Sequence, residues 1–221
     1  LTLVFDPIIL STACLIIFIL IYRLILYNSP RTGKISYLII LGISIFFSFS
    51  VNFIFNSVFE QRHRDRFNII LGLENDTKGI GYNINQSKIA IGSGGFSGKG
   101  FLNGTQTKGG FVPAQHTDYI FSTVGEEWGF IGSSGLIILF TILILRIIYR
   151  AEKHIQPFPR IFSYCFASML FVHFFINIGM TLGLVPTVGI PLPFISYGGT
   201  NLITFSLMFF IYLNLDANRL N

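Results

Sequence analysis

From Ile161 to Leu215 the chain runs 55 residues without an Asp, Glu, Lys or Arg. A membrane-spanning helix needs about 20 predominantly apolar residues, so this run holds two crossings. Between them lies PTVGIPLPFISYGG, broken by Pro186, Pro191 and Pro193. Non-helical backbone at membrane depth is tolerated only against protein or around a polar cavity. The segment therefore reads as the lining of a site, with Ser196 as its candidate substrate contact. Composition agrees: charged residues make up 11% of the chain and the mean hydropathy is +0.66, against about 25% charged in soluble domains.

The charge-free runs predict an all-α integral membrane protein. It is a single polytopic bundle over 1–221, with about five transmembrane helices near 8–27, 35–59, 128–147, 161–183 and 200–215. The short links carry Arg31 and Lys34, and then Arg146, Arg150, Lys153 and Arg160 against Glu152. An excess of Lys and Arg in short loops marks the cytoplasmic side, which puts both links and the C-terminus inside. PTVGIPLPFISYGG and the long 60–118 segment then lie outside. That segment holds seven Lys/Arg and five Asp/Glu, too many charges to cross hydrocarbon at roughly 2.5–3.5 kcal/mol each. It is an extracytoplasmic loop long enough to carry function.

The net charge of +5 is scattered along the chain without a basic stripe, so nucleic acid is not an expected partner. Cys14 and Cys165 sit in apolar runs, with no disulfide framework or metal-binding spacing. The chain opens on Leu1 without a signal-peptide pattern and reads as the C-terminal part of a longer polypeptide.

Within the loop, GSGGFSGKG at 92–100 fits neither common phosphate-binding glycine pattern. Ser93 stands where a Walker A loop needs Gly, Gly100 where it needs Ser or Thr, and Ser97 fills the third Gly of GxGxxG. The stretch reads as a flexible turn, or as backbone amides that join Lys99 in receiving a lipid-linked phosphate. QRHRDR at 61–66 reads as a cluster meeting lipid headgroups, or as guanidinium groups holding a pyrophosphate. Asp118, where PAQHTDYIF joins loop to span, is either a helix cap or a general base at the membrane surface. His116 lacks the further His or Cys of a zinc site. Glu126 and Glu127 form an acid pair at the outer end of the third span, and such acids snorkel, pair or face a cavity. His173 and Asn177, four apart in the fourth span, read as an inter-helix hydrogen-bond pair.

With these residues in view, the chain resembles the SEDS family (shape, elongation, division and sporulation proteins: RodA, FtsW and SpoVE), and within it the RodA branch. The likeness is carried by GYNINQSKIAIGSGGFSGKGFLNGTQ at 81–106, PAQHTDYIFSTVGEEWGF at 113–130, NIGM at 177–180 and PLPFISYGG at 191–199. It covers the C-terminal half of a fold of about ten spans. Departures are Ala114, Tyr119 and Trp128, where family members usually carry Glu, Phe and Leu, and FDPIILST in place of a PDLGT-like motif.

The resemblance implies a peptidoglycan glycosyltransferase that polymerises lipid II at the outer face of the cytoplasmic membrane, beside a class B penicillin-binding transpeptidase. Asp118 matches the family's essential acid, Lys88 its SK lysine, Arg62 and Arg66 its basic cluster, and Glu127 the second acid of its EE pair. In that chemistry Asp118 is the base, and Lys88 with the Arg62 and Arg66 cluster neutralises the departing phosphates. A divalent cation (Mg or Mn) is optional and no nucleotide is required. The alternatives are a flippase or transporter for lipid-linked precursors, which would also use membrane carboxylates and broken helices, and a non-catalytic membrane scaffold.

Overall fold

The computed structural model describes residues 12, 16, 31–73 and 79–218. The chain divides into two compact units, Leu1–Glu74 and Asn75–Asn221. In the first, α1 (Arg31–Phe53) passes into a π-helical turn, Ile54–Val58, and α2 (Gln61–Ile70) follows after the extended Phe59. Phe55, Phe59 and Phe67 gather with ring centroids 5.9 to 6.2 Å apart. The Arg64 guanidinium donates to Asn56 O at 3.0 Å and to Gln61 Oε1 at 2.7 Å. Aromatic packing and one arginine fork thus fold α2 back on the end of α1.

The second unit contains α3 (Ile80–Ser93), the single turn α4 (Thr105–Lys108), α5 (Ile120–Ala151), α6 (Pro157–Thr181) and α7 (Gly199–Ala217). Pro157 starts α6, where its missing N–H costs no intrahelical bond. Gly183, with φ +69°, turns the chain away after its end. Helices α5, α6 and α7 are long and apolar enough to cross a membrane. They meet in a core of Ile144, Ile147, Phe166, Ala167, Leu170, Phe205 and Tyr212. Lipid is as apolar as that core, so close packing and polar links must hold the helices together. One such link is the Arg150 fork on Asp216, with Nε donating at 2.9 and 3.0 Å and Nη2 at 2.7 Å. It ties the end of α5 to the end of α7.

Among the described residues, α5, α6 and α7 match the third, fourth and fifth expected crossings, while the second, 35–59, coincides with α1 and its π-helical turn, of which Gly42–Val58 is a shorter apolar helix; the first, 8–27, falls almost wholly outside the described residues. Helix α5 begins eight residues before the expected third span (128 − 120), at Ile120. The 60–118 segment contains α2, α3 and α4. Of these, α3 buries Ile84, Ser87 and Ala90, and the Ser87 hydroxyl donates to Thr181 O at the end of α6. Three-residue spacing of small and apolar groups on one face lets α3 lie against the membrane helices.

The basic short links predict the orientation. A cysteine at Asn103 should react with an impermeant thiol reagent in intact cells, and one at Lys153 should not. Reversed labelling would invert the topology.

Candidate functional site

Helix α5 is broken at Gly129, which has φ +63° and ψ −157°. In an unbroken helix the carbonyls of residues 126 and 127 would accept from the N–H groups of residues 130 and 131. Here the glycine-rich stretch takes both sets of partners. Lys99 N and Gly100 N donate to Glu126 O and Glu127 O at 3.0 and 2.9 Å, while Phe130 N and Ile131 N donate to Gly95 O and Phe96 O at 2.9 and 3.2 Å. Contact this close requires glycine. A Cβ on Gly98 would lie 2.1 Å from Glu127 O, one on Gly94 2.0 Å from Gly125 O, and one on Gly129 2.3 Å from Gly98 N. GSGGFSGKG is therefore a collar locked to a broken helix. Its amides at 99 and 100 are already bonded to α5.

Beneath the collar Glu126 is fully buried. Its carboxylate accepts from Lys99 Nζ at 2.7 Å, Gln106 N at 2.9 Å, Thr107 N at 2.8 Å and Thr105 Oγ1 at 3.3 Å. The Lys99 ammonium also donates to Ser93 Oγ at 2.8 Å and Thr105 Oγ1 at 2.7 Å, which uses its three protons. Gly104 makes room for this cluster, since a Cβ there would lie 2.8 Å from Glu126 Oε2. Of the two acids, Glu126 ties the loop to the helix. Glu127 is also buried, but its carboxylate has no hydrogen bond or ion pair among the described residues.

Asp118 is placed through its backbone. The carbonyls of His116, Thr117 and Asp118 accept, in order, from Tyr197 N at 2.8 Å, Ser196 Oγ at 2.6 Å and Asn177 Nδ2 at 2.8 Å. Asn177 Nδ2 also donates to Ile190 O, Leu192 N donates to Ser196 Oγ, and His173 Nδ1 lies 3.2 Å from Pro191 O. PLPFISYGG and α6 thus grip HTD from one side. Phe194, held at φ +64°, packs edge-on against Phe205 and Phe209 of α7 at 5.8 and 6.0 Å, and such strain persists only where surroundings enforce it. The Asp118 carboxylate is half-buried and has no hydrogen bond or ion pair among the described residues. It does not cap α5: the cap position is Tyr119, and no side-chain cap hydrogen bond is made there.

Lys88 and Asp118 converge on one connection. Lys88 lies over Gly183, where a Cβ would come 2.6 Å from its Nζ, and the Asp118 carboxylate lies over Gly189, where a Cβ would come 3.1 Å from its Oδ2. Ala90, Val112 and Tyr119 pack together, joining the turn after Lys88 to the residue after Asp118. The Lys88 ammonium has no bonded partner among the described residues. Ser196 is buried and engaged with Thr117 and Leu192, so it orders backbone at the site. His173 and Asn177 bond to loop carbonyls and not to a facing helix side chain. Arg62 and Arg66 belong to the first unit, where Arg62 is exposed and stands 3.7 Å from Glu60.

The apolar groove between α5 and α6, lined by Ile144, Leu145, Ile148, Ala167, Phe171 and Val172 among others, contains none of these residues. Glu126 as an anchor and Asn177 as the clamp on Asp118 went unrecognised in the sequence. The available signal was Gly129 inside an apolar helix, three residues after an acid and downstream of a glycine-rich stretch.

The family model described as "Cell cycle protein", FTSW_RODA_SPOVE, matches residues 3–221. The chain belongs to this family of polytopic membrane proteins. It is 44% identical over 156 residues to the peptidoglycan glycosyltransferase MrdB of Escherichia coli K12, covering 71% of this chain and 42% of that protein. It is 39% identical over 158 residues to the peptidoglycan glycosyltransferase RodA of Treponema pallidum, covering 70% of this chain and 36% of that one. The chain thus spans less than half the length of these relatives. A solved structure described as "Structural coordination of polymerization and crosslinking by a peptidoglycan synthase complex" contains a similar chain. The TM-score is 0.60 at 26% identity, over 91% of this chain and 53% of that one.

Two substitution series follow from the collar. Lys99→Met leaves a buried carboxylate unpaired, which costs about 3–5 kcal/mol, and adding Glu126→Gln should recover much of the loss. Gly98→Ala meets backbone and should abolish folding. Gly95→Ala faces open space and should cost only the left-handed strain of about 1–2 kcal/mol. Thermal unfolding in detergent ranks these variants, and equal loss from both glycine changes would refute the interlock.

Proposed function

We propose that the chain forms the catalytic half of a peptidoglycan glycosyltransferase that polymerises lipid II into glycan strands at the outer face of the bacterial cytoplasmic membrane, for cell elongation and shape. The treatment of Asp118 carries the reading. Three successive carbonyls at and before it are pinned, while its carboxylate keeps no partner among the described residues. A base must have a fixed position and a free oxygen, because proton transfer depends on geometry first.

In the reaction the 4-hydroxyl oxygen of the acceptor sugar attacks the anomeric carbon of a donor linked to a lipid pyrophosphate. The new glycosidic C–O bond forms, and the bond to phosphate breaks with its electron pair leaving on the pyrophosphate. The hydroxyl proton passes to Asp118. Attack opposite the leaving group inverts the anomeric centre, and the donor's own pyrophosphate makes a nucleotide unnecessary. The Lys88 ammonium offsets charge developing on the leaving phosphates. Lys99 acts through Glu126 as a positioning residue.

A divalent cation, Mg or Mn, fits only in part. Among the described residues no three His, Cys, Asp or Glu side chains are grouped, so substrate phosphates and water would supply most of the shell, as Mg commonly allows. The ion would supply charge neutralisation at the phosphates. A class B penicillin-binding transpeptidase is the expected protein partner. The solved relative, a chain described within a peptidoglycan synthase complex, supports that choice.

Lipid II polymerisation by Asp118→Asn in the full-length polypeptide tests the assignment. Amide for carboxylate keeps the clamp, which holds backbone oxygens, and removes the base. The rate should fall by about 10²–10⁴-fold at normal membrane expression. Retention of more than about a tenth of the unmodified rate would exclude Asp118 as general base.

A further inference from the structure

Large apolar side chains stand exposed on the collar: Phe96 at 71%, Phe101 at 69% and Leu102 at 63%, beside Trp128 at 57% and Phe130 at 63% on α5. Phe96 stacks on Phe130 with centroids 5.9 Å apart, so loop and helix share one apolar surface. Gly100 N is bonded to Glu127 O. That bond sets Phe101 beside a position only three residues before Phe130, across the break at Gly129.

The depth of this surface follows from α5. Arg150 follows Gly129 by 21 residues (150 − 129), or about 32 Å of helix, against a hydrocarbon thickness of about 30 Å. With the Arg150–Asp216 pair at the inner boundary, the helix break and its collar fall at the outer one. Trp and other aromatics collect at that level because an amphipathic ring suits the boundary between acyl chains and headgroups. Phe130 and Ile131 are exposed and begin the lipid-facing part of α5, so the patch continues an existing lipid surface.

We propose that the 95–102 collar is an interfacial anchor: Phe96, Phe101 and Leu102 enter the outer leaflet alongside Trp128 and Phe130, although they belong to a segment whose charges assign it to water. The occupant of the patch is lipid. Leu102, held at φ +59°, keeps its side chain outward at a backbone cost, which suits an anchor. Through the Lys99–Glu126 pair the anchor also fixes the height of the 105–107 turn above the bilayer. This inference rests on the membrane geometry and not on the catalytic reading, so loss of either leaves the other standing.

The test is spin-label depth measurement on the full-length polypeptide in liposomes, with Cys14 and Cys165 replaced by Ser and single cysteines introduced as Phe96→Cys or Phe101→Cys. Molecular oxygen, which concentrates in acyl chains, should relax both labels severalfold more than a water-soluble nickel chelate. Greater relaxation by the chelate overturns the proposal by placing the collar in water. Protection from both reagents overturns it too, because protein would then cover the patch. Phe101 has no described ring partner, so its variant keeps the test decisive if Phe96→Cys disturbs the stack on Phe130.

Discussion

A helix broken near the bilayer boundary must find partners for the backbone groups it frees, and the answer at Gly129 organises the second unit. An unpaired N–H or C=O at that depth costs several kcal/mol, and the break exposes two of each. The collar supplies the four complements in register. Two short runs, 94–100 and 125–131, therefore have to fold together. The need for glycine comes from their separation, since a single methyl at Gly94, Gly98 or Gly129 would occupy the space of a backbone atom.

The same logic of complete pairing accounts for the contrast between Glu126 and Asp118. Glu126 is a buried charge that survives because a cation and backbone N–H groups surround it, and removing one partner exposes the whole desolvation penalty. Asp118 is partly accessible and carries its hydrogen bonds on the backbone instead. One carboxylate is spent on structure, and the other is positioned without being neutralised. Lys88 shows the same treatment in the cation series, lying over Gly183 with its ammonium unbonded among the described residues while Lys99 is saturated.

Charge-free runs made the crossings legible, because hydrocarbon excludes charge whatever the tertiary fold. The helical bounds of α6 and α7 agree with those runs within four residues at each end. PLPFISYGG was legible as irregular backbone that has to meet protein or a cavity, and Tyr197 and Ser196 within it bond to the carbonyls of His116 and Thr117. The role of GSGGFSGKG was not. Its glycines serve an approach to α5 that begins 25 residues downstream of Gly100 (125 − 100), and composition alone cannot separate a flexible turn from a tight interlock. Glu126 and Glu127 were likewise indistinguishable as neighbours in sequence. A helix turns by about 100° per residue, so one meets the collar's lysine and the other does not. Ser196 was singled out as a substrate contact, yet its hydroxyl is engaged with Thr117 and Leu192, an arrangement that only the fold of the loop determines.

Apolar burial discriminates little between partners inside a bilayer, so the precision of the site has to come from polar links, and these converge on α5. At one end the Arg150 fork joins it to α7. At the other, the collar and the Lys99–Glu126 pair join it to the 94–107 segment, and the Asn177 and Ser196 bonds fix the chain that leads into it. Helix α5 runs nine residues from Ile120 to the break at Gly129 (129 − 120), about 14 Å, and Asp118 stands two residues before its start. That holds the Asp118 carboxylate on the far side of the break from the Arg150–Asp216 pair. The height of Asp118 along the helix axis is thereby a property of one helix and its break, set by backbone hydrogen bonds and not by the reach of a loop.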